Sequence, residues 1–269
     1  MMDLMDNQLH ELRVSYKDKT YTLSVRLRAN TDNLIVFLHG WGGSKEGFAG
    51  AFSSDALKQY GICTIDLLGF GKSEKPADFS YDLLDQANVI ALAVNSLKAK
   101  KIYLVGHSMG GSVGLLAVPL IKNVTMFINA DSNLAPNGSG VDARAVTKQP
   151  FWIFKSHTLP LLKTLLRLHP RRSMRVWARW FNEASPFAMY RSIQSLVSWS
   201  DSGKLFPLFE ALPHKAYIYG ANGKHRKTIV PKLDKTITYI VPASGHALMT
   251  DNPDGFYATV AKIVQIITT

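Results

Sequence analysis

Six apolar runs of four or five residues, at 34–38, 62–65, 102–105, 124–128, 216–219 and 237–241, recur along the chain without polar alternation. A strand wetted on one face alternates apolar and polar side chains. An unbroken short run therefore suits a strand covered on both faces. Stretches with helical spacing lie between several runs, among them 81–99, and another closes the chain at 256–267. True alternation comes earlier, in Glu11-Leu12-Arg13-Val14-Ser15-Tyr16 and Tyr21-Thr22-Leu23-Ser24-Val25-Arg26-Leu27. With Lys17-Asp18-Lys19-Thr20 between them, these predict an antiparallel hairpin with one solvated face. Together the pattern predicts an α/β sandwich, with a mostly parallel central sheet and helices on both faces.

At 269 residues and 46% apolar content, the chain can bury one full α/β domain with an insertion. The strand–helix alternation breaks between 133 and 213, where the sequence turns helix-like, aromatic and basic. We expect 1–132 and 214–269 to form the core, and 133–213 to be a helical cap inserted after the sixth strand. Trp177 and Trp180, at helical spacing, read most simply as packing within that cap, with a substrate wall as the alternative. Candidates for lining a pocket are His39, Trp152 and Trp177.

The formal charge of +11 is concentrated in the same insertion: ten basic residues lie between Arg144 and Arg191, with Glu183 as the single acidic one. Such a cluster can attract acidic proteins, phosphorylated ligands, nucleic acid or an anionic membrane, or it is a solvated face. No nucleic-acid partner is expected. The opening residues lack the basic and apolar regions of a secretory leader, and no window has the length of a membrane span, so the expectation is a soluble cytoplasmic protein. One cysteine excludes an intramolecular disulfide, and Cys63, inside an apolar run, reads as a buried structural thiol. No metal-ligand spacing is present.

Chemistry enters at Val105-Gly106-His107-Ser108-Met109-Gly110-Gly111, between the run 102–105 and a helix-like segment of small residues. A serine lifted to the tip of a strand-to-helix turn needs small residues two positions before and two after it, as Gly106 and Gly110 are. A glycine-rich turn around an ordinary serine is the plainer alternative. A serine nucleophile also needs a base, an acid to orient that base, and amide donors for an oxyanion. His246, in Ser244-Gly245-His246 just after the run 237–241, is the best base. The amides of Trp41, in His39-Gly40-Trp41-Gly42, and of Met109 are the candidate oxyanion donors.

In these motifs the chain resembles the α/β-hydrolase fold superfamily over nearly its whole length. The matching segments are His39-Gly40-Trp41-Gly42, Asp66-Leu67-Leu68-Gly69-Phe70-Gly71-Lys72-Ser73, Gly106-His107-Ser108-Met109-Gly110 and Ser244-Gly245-His246. The resemblance implies a cofactor-independent Ser-His-acid hydrolase with a helical cap, in which Asp66 ties down its glycine-rich loop. The commonest acid position in the family corresponds to Gly223, which has no carboxylate. Some members carry the acid after the strand that precedes the cap, and there this chain has Asp131. A turn cap is the alternative use of Asp131. Asp234 and Asp251 are the other acid candidates, with Asp251 better suited to capping the final helix.

The expected activity is cleavage of a carboxylic ester through an acyl-enzyme at Ser108, on an apolar or acyl small molecule. A weaker resemblance, in the His39 motif and the basic cap, is to esterases acting on pimeloyl-acyl-carrier-protein methyl ester. It implies docking of an acidic acyl carrier protein on Arg167, Arg171, Arg172, Arg175 and Arg179. Two other classes stay open: a non-catalytic ligand-binding member of the fold, and a protein whose cap holds an anionic membrane through 161–168 and its arginines.

Overall fold

The computed structural model describes residues 8–28, 30, 32–136, 141–223 and 225–267. Two alternating segments open it as β1 (Gln8–Tyr16) and β2 (Lys19–Arg28), paired antiparallel. Their turn is two residues, shorter than the sequence suggests, because Lys17 and Asp18 both take positive φ, 49° and 60°. That geometry follows the twist of the strands. The six apolar runs then form β3 (Asn33–Leu38), β4 (Gly61–Ile65), β5 (Lys101–His107), β6 (Val124–Ala130), β7 (Lys215–Gly220) and β8 (Thr238–Val241). One eight-stranded sheet results, in the order β1-β2-β4-β3-β5-β6-β7-β8. Its first two junctions are antiparallel and all the others parallel. The carboxyl ends of β3 to β8 therefore meet along one edge, where ligands of open α/β sheets usually bind.

Helices α1 (Leu83–Ser96) and α2 (Met109–Ala117) follow β4 and β5. The first is shorter than its periodicity predicts, because the Asp82 carboxylate accepts from the Leu84 amide and caps it there. Between β6 and β7 lie α3 (Val141–Thr147), α4 (Phe151–Ile153), α5 (Leu159–Leu168), α6 (Arg172–Glu183), α7 (Pro186–Asp201) and α8 (Leu205–Glu210). A π turn, Phe154–Thr158, joins α4 to α5. After β7 come α9 (His225–Thr228), α10 (Leu248–Asp251) and α11 (Pro253–Ile266). The cap of α11 is Asn252, whose side chain accepts from the Gly255 amide; Asp251, expected there, instead accepts from the Gly245 amide at 2.9 Å.

Alternate residues of each central strand feed two cores. Ile35, Phe37, Tyr103, Val105 and Ile128 pack with Phe256, Val260, Ile263 and Val264 of α11. Leu34, Val36, Leu38, Leu104 and Phe127 pack on the other face with α1 and α2. Phe154, Leu159, Phe181, Met189 and Ile193 of the inserted helices belong to this second core, so it runs unbroken from the sheet into the insertion. Each such side chain contributes about 1.5–3 kcal/mol on burial. Cys63 is fully buried and its thiol is pushed up to about 12, which keeps it protonated and unreactive. Among the described residues no helix is long and apolar enough to cross a membrane.

Candidate active site

β5 ends at His107 and α2 begins at Met109, which leaves Ser108 alone in the turn at φ 52° and ψ −120°. A non-glycine residue held there costs roughly 1–3 kcal/mol, a strain that surrounding packing must offset. The turn has no room for side chains on either side: a Cβ on Gly106 would strike the Gly110 carbonyl, and one on Gly110 the Leu38 carbonyl. Ser108 is fixed sideways as well, since its amide donates to Ala130 O at 3.0 Å. Met109 is the first residue of α2, so its amide has no acceptor within the helix and lies at the positive end of the helix dipole.

His246 follows β8 on the same edge and is 30% exposed at its side chain, whereas Asp131, directly after β6, is fully buried. The imidazole Nδ1–H donates to Asp131 Oδ2 at 2.7 Å. With the proton on Nδ1, Nε2 is the basic nitrogen of the ring. Asp131 has φ 50°, a conformation aspartate tolerates better than most residues, and its amide donates to Ile218 O at 2.7 Å. Tyr217 Oη donates to Ser132 O at 2.7 Å, which secures the turn from the neighbouring strand β7.

Gly223 lies beside this pair. A Cβ built on it would stand 3.4 Å and 3.6 Å from the two carboxylate oxygens of Asp131. The loops after β6 and β7 thus converge on one spot beside the imidazole. Asp234 is exposed and precedes β8, at the end of the strand opposite His246, and Asp251 is engaged with the Gly245 amide.

His107, which the sequence motifs give no role of its own, also bears on the site. His107 Nε2–H donates to the His246 carbonyl at 2.7 Å, and the two rings lie 4.8 Å apart. Burial, then the neighbouring His246, push the His107 imidazole down to about 3, so it stays neutral and acts as a fixed donor. The signal available in the sequence was its position next to Ser108.

The loop after β3 is tied to the loop after β4. His39 is buried, with Nδ1–H donating to Gly40 O at 2.8 Å and Nε2 accepting the Leu67 amide at 3.0 Å. Asp66, also buried, accepts from Ser44 Oγ and the Lys45 amide on one oxygen, and from Lys45 Nζ and the Lys72 amide on the other. Lys45 is itself 1% exposed, so this is a buried ion pair with its hydrogen bonds satisfied. Trp41 reaches the insertion: its indole N–H donates to Met189 O of α7 at 2.8 Å, and its ring meets Phe181 edge-on at 5.3 Å.

His39 and His107, with Phe48, Trp177, Trp180 and Met249, line an apolar cleft beneath α6. The Trp177 ring lies 6.2 Å from that of His246. Trp152 is not part of this cleft. It stands 64% exposed, because Phe151 and Phe154 take the inward positions around it and pack against Tyr190. Arg167 lines a separate groove, and Arg171 Nη1 comes 3.6 Å from where a Gly245 Cβ would be. Arg172, Arg175 and Arg179 are exposed at helical spacing on α6. Among the described residues no three His, Cys, Asp or Glu side chains are gathered to hold a metal ion.

A family model described as the alpha/beta hydrolase fold matches residues 33–206. The chain is 36% identical over 118 residues to the Arabidopsis thaliana protein named Probable lysophospholipase BODYGUARD 1, a match covering 39% of this chain and 25% of that one. It is 41% identical over 59 residues to the Bacillus subtilis hydrolase YugF, covering 22% of each. The matches span 25% to 30% of the length of the first curated relatives. Among solved structures, the N-acyl homoserine lactonase AidH superposes with a TM-score of 0.78 at 18% identity, covering 97% of this chain and 98% of that one. An esterase from Thermogutta terrifontis gives 0.72 at 18% identity, covering 97% and 100%. These two likenesses concern the fold, and the family match rests on the sequence of β3 to α8. With that match spanning well over half of its length, the chain belongs to the alpha/beta hydrolase fold family.

Proposed function

We propose that this chain is a serine hydrolase that cleaves carboxylic esters, with Ser108 as nucleophile, His246 as general base and Asp131 as the group that orients the base. The observation that carries the reading is the 2.7 Å bond from His246 Nδ1 to the buried Asp131, on the same sheet edge as the strained Ser108. Asp131 holds the tautomer in which Nε2 takes the serine proton, and its charge stabilises the imidazolium that forms. Ser108 Oγ attacks the acyl carbon, and the carbonyl oxygen develops negative charge between the amides of Trp41 and Met109. One such donor is worth about 3 kcal/mol in the transition state. His246 then protonates the leaving alcohol, and water releases the acyl group by the same steps in reverse.

The apolar lining by Phe48, Trp177, Trp180 and Met249 favours an acyl or otherwise apolar group over a sugar. Esterase, lactonase and lysophospholipase are names carried by relatives and structural neighbours, and all three describe acyl transfer to water. The insertion at 133–213 acts in this reading as a cap, closing the cleft through Trp177 and fixing the Trp41 loop through Met189.

The test is labelling with a fluorophosphonate probe alongside turnover of p-nitrophenyl esters of increasing chain length. Wild type is expected to label, and Ser108→Ala to lose both label and turnover. A wild type that neither labels nor turns over any ester would instead favour a non-catalytic binding protein.

A further inference from the structure

The outer ridge of the insertion is built unlike the rest of the surface. Leu161, Leu165 and Leu168 recur at i, i+4 and i+7 along α5, which places them on one face, and they are 58%, 55% and 77% exposed. Trp152, 64% exposed on α4, belongs to the same continuous helical run. The inward face of α5 is already satisfied, since Leu159 is buried and Leu166 packs against the core. Nothing in the packing of α5 therefore requires the outer leucines. Exposed large apolar residues elsewhere, such as Leu9, Leu120 and Ile240, lie on separate elements, and the pair on α1, Leu84 and Leu92, is eight residues apart with no third member. Scattered singly they call for no explanation, whereas a stripe does.

A cationic groove of about 340 Å³ runs along another side of the same helix, lined by Lys155, Lys163, Thr164, Arg167 and Asn182. Lys163 and Arg167 are close enough to act on each other, and Lys163 is held below its ordinary value first by burial and then by the Arg167 charge. No acidic residue occurs from 145 to 182, so that stretch supplies no carboxylate to neutralise the pair. Arg172, Arg175 and Arg179 extend the positive surface along α6.

We infer that this ridge docks the protein on an anionic lipid bilayer, with Trp152, Leu161, Leu165 and Leu168 entering the acyl boundary and the Lys163–Arg167 groove taking a phosphate headgroup. An apolar stripe flanked by cations is the pattern of a helix lying in a membrane interface. The sign of the charge selects the acidic leaflet. Each feature disfavours a different occupant: a second copy would bring like charges together, and a nucleic acid offers nothing to three leucines and a tryptophan. The inference stands apart from the esterase reading, because it is read by binding.

The experiment is sedimentation with vesicles of phosphatidylcholine alone, or of phosphatidylcholine containing phosphatidylglycerol. Wild type is compared with Leu161→Ser/Leu165→Ser/Leu168→Ser and with Lys163→Gln/Arg167→Gln. Melting temperature and gel filtration of each variant report folding and oligomeric state. Wild type is expected to partition about tenfold or more in favour of the anionic vesicles, the leucine variant to lose most of its binding to them, and the Lys163/Arg167 variant to lose most of the anionic preference. Added salt should weaken binding without abolishing it, since the leucine contribution is not screened. Equal binding to both vesicles would overturn the inference. So would a leucine variant that binds like wild type, which would leave charge alone and point to an acidic protein as the partner. A leucine variant that converts a dimer to a monomer would assign the stripe to a second copy instead.

Discussion

The carboxyl edge of the sheet and the outer ridge of the insertion are built in opposite ways. At the edge, polar groups are buried and engaged: Asp66 with four donors, His39 with two neighbours, His107 with His246, and His246 with Asp131. Ser108, Asp131 and Ala243 there are held at positive φ. On the ridge, leucines and arginines face water. A substitution at the edge moves its neighbours, because each group is positioned by another. A substitution on the ridge changes only what the surface can meet.

The sharpest way to break that contrast is at Asp131. Asp131→Asn should lower kcat for a small ester by about 10³–10⁴-fold, since the amide no longer selects the correct tautomer. Adding Gly223→Asp should restore part of the loss, because a side chain there starts 3.4 Å from the present carboxylate. A comparable loss from Asp234→Asn, or no rescue, would move the acid elsewhere. Lys45→Ala should destabilise the fold by about 3–5 kcal/mol in urea unfolding, because it leaves the Asp66 charge buried alone. A loss below 1 kcal/mol, on the scale of an exposed pair, would mean that the edge is less tightly coupled than its hydrogen bonds imply.

A third test uses pH. His107 is neutral in the folded protein down to about 3, whereas an unfolded histidine takes its proton near 6.5. Below about 6.5 the unfolded state therefore binds the extra proton, and stability falls as pH falls, by up to about 1.4 kcal/mol per unit, until His107 itself titrates. His107→Gln should flatten that slope, measured as the unfolding midpoint between pH 6.5 and 4. At the small end, Leu165→Ser on the ridge should change stability by no more than about 0.5 kcal/mol and leave small-ester turnover unchanged. A large loss of either would erase the distinction between the two regions.

How legible these regions were in the sequence follows the same division. The six apolar runs and the serine turn are local patterns set by sterics and periodicity, and they could be read directly. Asp131 is a candidate acid in the sequence only because Gly223 lacks a carboxylate and the neighbouring strand ends beside an aspartate. Contacts across the fold left no such trace. The bond from His107 to the His246 carbonyl joins residues 139 apart, and that from Trp41 to Met189 joins residues 148 apart. Neighbouring positions can also be misread. Asn252 rather than Asp251 caps α11, since a shift of one residue decides which side chain reaches the free amides. Trp152 looked like a pocket residue because aromaticity was visible while the direction of its helix face was not.

The convergence of the loops after β6 and β7 on one imidazole bears on descent. A lineage exchanging a carboxylate at one position for one at the other could pass through a chain bearing both, with each generation retaining an oriented base. Either arrangement keeps the same linear order of serine, acid and histidine, so the exchange needs two point changes and no rearrangement of the gene. A side chain grown from Gly223 would start 3.4 Å from the nearer carboxylate oxygen of Asp131, so on the proposed esterase reading the two positions are alternative stations for one charge.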